Sequence, residues 1–230
     1  MNKKDIRFLI EQQDKLNTLI DDDWKNNRIK EDFIRAMVVE VGELIDWTGY
    51  KWWAKQRTYE DQAQLELADI WFFFISLYIL EEIHYDGLNF VDDLEAQIEL
   101  SSMMDQTLPG GSTKPTCFDR IGVHKKSLEF LHEITIGIEF SMLSTMKSLV
   151  DLSIACGVSA ETLNKLYLSK LILNIFRQEN GYKSGDYVKM WEPKHLDHAV
   201  EDNMVLEYIM KTTNDPSEIR AKLEEAYKTT

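Results

Sequence analysis

The stretch Ile70-Trp-Phe-Phe-Phe-Ile-Ser-Leu-Tyr-Ile-Leu80 constrains this chain more than any other. Wound at roughly 100° per residue it is apolar on every side, so a helix here has no face for water and belongs at the centre of a bundle. The run is too short to span a bilayer. Glu66 and Asp69 precede it in the same pattern, three residues apart and so on one helical face. A second pair, Glu40 and Glu43, lies in the preceding pattern from about Ile29 to Trp47. There Phe33, Ile34, Met37, Val38, Val41, Leu44 and Ile45 are apolar, and Ala36, Val39 and Trp47 lie to the far side of Glu40 and Glu43, so both glutamates sit inside a wide apolar arc. Only Glu31, Arg35, Gly42 and Asp46 make a clear solvent face. Surface acids commonly fall three apart with no further meaning; two such pairs on consecutive, largely apolar helices are a stronger signal. Packed antiparallel, the helices face four carboxylates toward one point. Like charges that close repel unless cations hold them or some take up protons. Hard oxygen ligands in that number suit Mg²⁺ or Mn²⁺.

The rest of the chain reads as helix too. Four prolines and ten glycines in 230 residues leave long segments of 3.6 period uninterrupted, and the fold class is all-α: a multi-helix bundle with antiparallel core helices carrying the paired carboxylates. Helices are expected from about Asp5 to Ile20, Ile29 to Trp47, Tyr59 to Ile83 and over 88–106, with Gly87 as a stop. Leu108-Pro-Gly-Gly-Ser-Thr-Lys-Pro-Thr116 is a loop. Helix resumes from His124 to about Cys156, broken once, and Ser159 opens another from Ala160 to about Gln178. This predicts one all-α domain over 1–230. Its core would be about 1–106 plus 158–195, with a helical insertion or cap over about 107–157 and a polar C-terminal tail. His195 and His198 in that tail read as surface histidines.

A formal net charge of −14 argues against a nucleic-acid polymer as partner. Two cysteines, Cys117 and Cys156, are too few for a disulfide framework and point to a reducing compartment. The start turns amphipathic at once, without a signal-peptide pattern. The expectation is a cytoplasmic protein that uses no membrane.

Against that acidity, one basic cluster stands out. Lys170, Asn174 and Arg177 are spaced by four and three and share a helical face; Lys183 and Lys189 follow in a loop with Gly181 and Gly185. Such a cluster suits polyphosphate, or is simply a solvated basic face. The phosphate-binding pattern G-x-x-x-x-G-K-[ST] is absent. Between the two acidic helices, Trp47, Tyr50, Trp52 and Trp53 sit with Lys51, Lys55 and Arg57. Those rings either stack on a nucleobase or cap the core at a helix turn. Gln13 and Asn17, one turn apart, offer amides that can read a planar ring, though on their own segment they read as surface amides.

Together these residues resemble the dimeric all-α dUTPases, within the all-α nucleoside-triphosphate pyrophosphatases. The resemblance rests on Gln13 with Asn17, Glu40-x-x-Glu43-Leu-Ile-Asp, Lys51-Trp52-Trp53, Glu66-Leu-Ala-Asp69-Ile-Trp, and Lys170-x-x-x-Asn174-x-x-Arg177-Gln-x-x-Gly181-Tyr182-Lys183-x-Gly185-x-Tyr187-x-Lys189-x-Trp191. It implies Mg²⁺ in two or more ions, with Mn²⁺ as a substitute, held by Glu40, Glu43, Glu66 and Asp69, and Glu40 as base toward water. It implies a uracil and deoxyribose pocket of Gln13, Asn17, Trp52 and Asn174, and phosphate contacts from Lys55, Lys170, Arg177, Lys183 and Lys189. The implied reaction is hydrolysis of dUTP, and of dUDP, to dUMP by a homodimer. The chain departs from the pattern at Phe72, where some relatives carry a histidine, and at Leu171, which replaces an amide.

Three other readings compete. A pyrophosphatase for another nucleotide, such as dCTP, would use the same acids. A ferritin-like di-iron protein would use Glu81-x-x-His84 and Glu129-x-x-His132; it puts His84 at a helix end and leaves the basic loop without a role. A non-enzymatic helical interaction module would need neither metal nor nucleotide.

Overall fold

The computed structural model describes residues 3–84, 91–96, 117–135, 141–193 and 198–228. Helices dominate: α1 (Lys3–Ile20), α2 (Trp24–Asn27), α3 (Lys30–Trp47), α4 (Glu60–His84), α5 (described over 91–96), α6 (Arg120–Thr135), α7 (Met142–Ala155), α8 (Ala160–Glu179), α9 (Asp202–Met210) and α10 (Pro216–Tyr227). Between α8 and α9, β1 (Met190–Trp191) pairs antiparallel with β2 (Val200–Glu201). The expected stop at Gly87, most of the 88–106 helix, the loop at 108–116 and His195 lie outside the described residues.

α4 is the axis of the bundle. Its apolar stretch is long enough, over Glu60–Glu82, to cross a membrane by composition, yet most of it is buried inside the protein. α1, α3, α7, α8 and α9 all pack on it, α3 most extensively. Trp71 and Phe74 are fully enclosed and meet edge to face at 5.8 Å. Burying one such aromatic contributes about 1.5–3 kcal/mol. α3 and α4 run antiparallel, because Trp47 at the end of α3 receives the Tyr59 backbone N–H at its carbonyl while its indole reaches Glu66. Gly49, at φ +67°, makes the turn out of α3; a Cβ there would meet the Arg57 carbonyl oxygen at 3.0 Å.

α6 and α7 pair with each other and lie against α3 and α4. The Trp71 indole donates to Ser153 Oγ at 3.0 Å, and the Thr48 hydroxyl meets His124 Nε2 at 2.6 Å. Ser159 caps α8, its hydroxyl accepting from the Thr162 backbone N–H.

The C-terminal segment differs from the polar tail expected from sequence. Val205, Leu206 and Ile209 of α9 and Ile219 and Leu223 of α10 are buried. Their spacing of three and four makes each helix amphipathic, and both dock on α8. Trp191 is fully enclosed among Phe176, Tyr187 and Tyr227, which pins the β1–β2 pair to the end of α8.

Candidate active site

The antiparallel pairing of α3 and α4 brings the two acid pairs together. Carboxylate oxygens of Glu40, Glu43 and Glu66 all lie within 4.8 Å of one another. Glu66 is buried, Glu40 half-buried and Glu43 exposed, so the cluster opens to solvent on one side. Burial, followed by the charges of Asp69, Glu66 and Glu43, pushes the Glu40 carboxyl up from 4.5 to about 8. Burial likewise raises Glu66 to about 7, against the opposing pull of Lys170 and the Trp47 indole, which donates to Glu66 Oε1 at 3.1 Å. Burial and the neighbouring negative charges push both carboxyls toward the neutral form, a penalty that a cation between them would relieve. The donor set is all hard oxygen and converging, and it fits Mg²⁺ or Mn²⁺.

Asp69 stands apart from that trio. Its Oδ2 lies 2.8 Å from the Lys170 ammonium on α8, which also approaches Glu66 at 4.0 Å. Lys170 is completely enclosed and donates to Asn203 Oδ1 at 2.9 Å. One turn earlier on α8, Tyr167 meets Phe72 edge to face, with ring centroids 4.3 Å apart. The Tyr167 hydroxyl, kept protonated by burial, donates to Gln13 Oε1 at 2.6 Å. Gln13 Nε2 in turn donates to Asn17 Oδ1 and Ser76 Oγ, and Asn17 Nδ2 to Ser76 Oγ at 2.9 Å. The Ser76 hydroxyl itself donates to the Phe72 carbonyl at 2.8 Å. Phe72, where the chain departs from the resemblance, is buried with its ring against Tyr167 and its carbonyl bonded by Ser76, so it brings no side-chain donor. Gln13, which its own segment marks as a surface amide, is only 2% exposed. Its neighbours Ser76 and Tyr167 have no local sequence signal that marks them.

Glu66, Asp69, Phe73 and Ser76 fall on one side of α4. From Glu66 to Ser76 the helix rises about 15 Å, at about 1.5 Å per residue. Carboxylates and amides thus form two poles of one face. Beside Asn17 a cavity of about 240 Å³ opens, lined by Ile20, Trp24, Arg28, Phe33 and Phe73 among others. Planar and aromatic walls with one amide at the rim suit a flat ring.

The expected basic grip takes another form. Arg177 gives Nε and Nη2 to the two oxygens of Asp202 at 2.8 Å each, Nη1 to Asn174 Oδ1 at 2.9 Å, and Nη2 again to Asn203 Oδ1 at 3.1 Å. Four of its five N–H groups are used by these bonds. The paired charge raises Arg177 and holds Asp202 below the usual carboxylate range, in spite of burial. Lys170 and Arg177 are therefore held by buried partners. Lys183 is exposed and donates to the Ile20 carbonyl at 2.6 Å; Lys189 faces Glu201 at 3.4 Å; Lys55 is exposed in the α3–α4 connection. Asn174, next to Arg177, is half-buried. Trp52 is 89% exposed and, among the described residues, meets Trp53 edge to face, while Trp47 has the core-facing role. Gly181, at φ +88°, turns the chain out of α8, and a Cβ there would press on Asp186 and Ser184 at 3.0 Å.

Asp202 and Asn203 were missed by sequence reasoning, because nothing local sets them apart from other polar residues of a helix start. The di-iron alternative loses half its ligands: Glu129 is ion-paired to Lys126 at 2.8 Å, and His132 is exposed. A protein-family model described as dUTPase matches residues 5–182 of this chain. No functionally curated protein matches it.

Proposed function

Because the chain belongs to the all-α dUTPase family and is thus an enzyme that hydrolyses dUTP, we propose that it does so through the Glu40–Glu43–Glu66 cluster as a divalent-metal enzyme. Mg²⁺ is the natural ion, two or more per site, with Mn²⁺ as a substitute. The products are dUMP and pyrophosphate, and dUDP gives dUMP and phosphate. The convergence of three carboxylates within 4.8 Å, with Glu40 driven to about 8, carries this reading.

Bound there, the metal lowers the pKa of water and neutralises charge that builds on phosphate oxygens. Glu40 takes the proton of the attacking water. Glu43 and Glu66 would hold the ion with Glu40, and Asp69, now paired with Lys170, would stand next to them as a further oxygen ligand. The amide pole of Gln13 and Asn17 reads the base, with the adjacent aromatic cavity accepting the ring and Asn174 the sugar side. Trp52 closes from the α3–α4 connection. Lys55, Lys183 and Lys189, all exposed, meet the phosphates; Lys170 and Arg177 contribute fixed positive charge. The active form is a homodimer in the cytoplasm, the compartment being read from a sequence with only two cysteines, Cys117 and Cys156.

The test is pyrophosphate release from dUTP, dTTP, dCTP and UTP, with Mg²⁺ and with EDTA. Selective turnover of dUTP, abolished by EDTA, is expected. Turnover that survives EDTA would remove the metal from the reading; preference for dCTP would keep the cluster and move the base assignment.

A further inference from the structure

Resting on the metal reading above, we propose that Asn203 is a positioning residue that governs how tightly the carboxylate cluster takes a divalent cation, by holding the Lys170 ammonium back from it. Asn203 lies beyond the residues that match the family.

Lys170 is a built-in rival for any metal. Its ammonium is fully enclosed, 2.8 Å from Asp69 and 4.0 Å from Glu66, and so neutralises part of the charge that a metal would otherwise neutralise. An ammonium has three protons to place. Asp69 takes one and Asn203 Oδ1, a neutral oxygen, takes another at 2.9 Å. That bond fixes the ammonium on the α9 side of the cluster, short of Glu66.

The anchor is rigid. Asp202, next in the chain, is fully buried, holds Arg177 through both oxygens, and accepts from the Tyr187 hydroxyl at 2.7 Å. Its backbone N–H reaches the Lys189 carbonyl, and Glu201 pairs with Met190 across the β ladder. Asn203 Oδ1 also receives Arg177 Nη2 at 3.1 Å. The acceptor cannot follow Lys170 into the cluster. Without it, a buried N–H of Lys170 has lost its partner, and the acceptors left nearby are the carboxylates of Asp69 and Glu66. The ammonium then closes on Glu66 and competes better with the metal.

The experiment is calorimetric titration of Mn²⁺ into full-length, metal-stripped, nucleotide-free protein, with melting in EDTA as the check of folding. Asn203→Ala is expected to weaken Mn²⁺ binding about tenfold, the size typical of a lost partner behind a metal ligand. Asn203→Asp, which restores an acceptor oxygen, binds close to the parent. Lys170→Met binds more tightly than the parent, and adding Asn203→Ala to it changes nothing further. Should Asn203→Ala fail to fold, Asn203→Ser, which retracts the oxygen, carries the same expectation. Parent-like Mn²⁺ affinity in folded Asn203→Ala or Asn203→Ser, or an equal loss in the Lys170→Met background, overturns the proposal. A parent protein that binds no Mn²⁺ overturns the metal reading itself, and this inference with it.

Discussion

Replacing Glu40 by Gln should stabilise the metal-free protein at alkaline pH while abolishing most of its activity. The Glu40 carboxyl rises from 4.5 to about 8 on folding, chiefly by burial and then by the charges of Asp69, Glu66 and Glu43. A raised carboxyl favours the protonated form in the folded state. The stability it allows is fully present below 4.5 and is lost as pH climbs through 8. At about 1.4 kcal/mol per pKa unit, the ionised group costs about 4 kcal/mol at pH 8 and under about 1 kcal/mol at pH 5. Glu40 is only half-buried and the cluster opens to solvent beside the exposed Glu43, so water screens part of that cost. The expected gain for Glu40→Gln is therefore about half the ceiling, ~2 kcal/mol at pH 8 in EDTA, shrinking toward zero at pH 5. Urea unfolding followed by circular dichroism at both pH values measures it. With saturating Mg²⁺ the order reverses, because the parent gains the free energy of metal binding and the variant has lost a ligand. Turnover of dUTP falls at least about 100-fold, the scale of a lost general base. Coincident unfolding curves for parent and variant at pH 8 in EDTA would refute the argument that Glu40 is held against its own charge.

Three further substitutions probe the remaining parts of the site. Tyr167→Phe removes only the hydroxyl that orients Gln13; it should cost about 1–2 kcal/mol of stability, and raise KM for dUTP more than it lowers kcat, as read by steady-state kinetics and thermal melting. Asp202→Asn leaves Arg177 buried beside a neutral group, and a loss of about 3–5 kcal/mol is expected by denaturant unfolding. Because Asp202 is held below 3.8, chiefly by Arg177 acting against burial, its contribution is complete at neutral pH and lost on acidification through its folded value; the gap between parent and variant should narrow there. Trp52→Ala should leave stability within about 0.5 kcal/mol and raise KM for dUTP. An unchanged KM would exclude this exposed ring from base binding.

How far the site could be read in advance depends on where each residue's partner lies in the chain. Glu40, Glu43, Glu66 and Asp69 announce themselves by spacing on two consecutive helices joined by a short connection, so both pairing and direction follow from local pattern. Gln13 does not: its partners are 63 and 154 residues away, at Ser76 and Tyr167. The same holds for the basic cluster. Its four-and-three spacing correctly places Lys170, Asn174 and Arg177 on one face of α8, but spacing carries no information about what that face meets.

What the sequence determines by itself is therefore periodic and near-neighbour: an all-α bundle, α4 at its centre, and acids in pairs that cannot be buried without a counter-charge. What tertiary structure decides is which charge meets which. The docking of α9 places Asp202 and Asn203 against Arg177 and Lys170, turning two apparent phosphate ligands into buried, paired cations. The reason is energetic. An enclosed charge must find a partner in space, whatever its distance along the chain, since desolvation costs more than any local preference can offset.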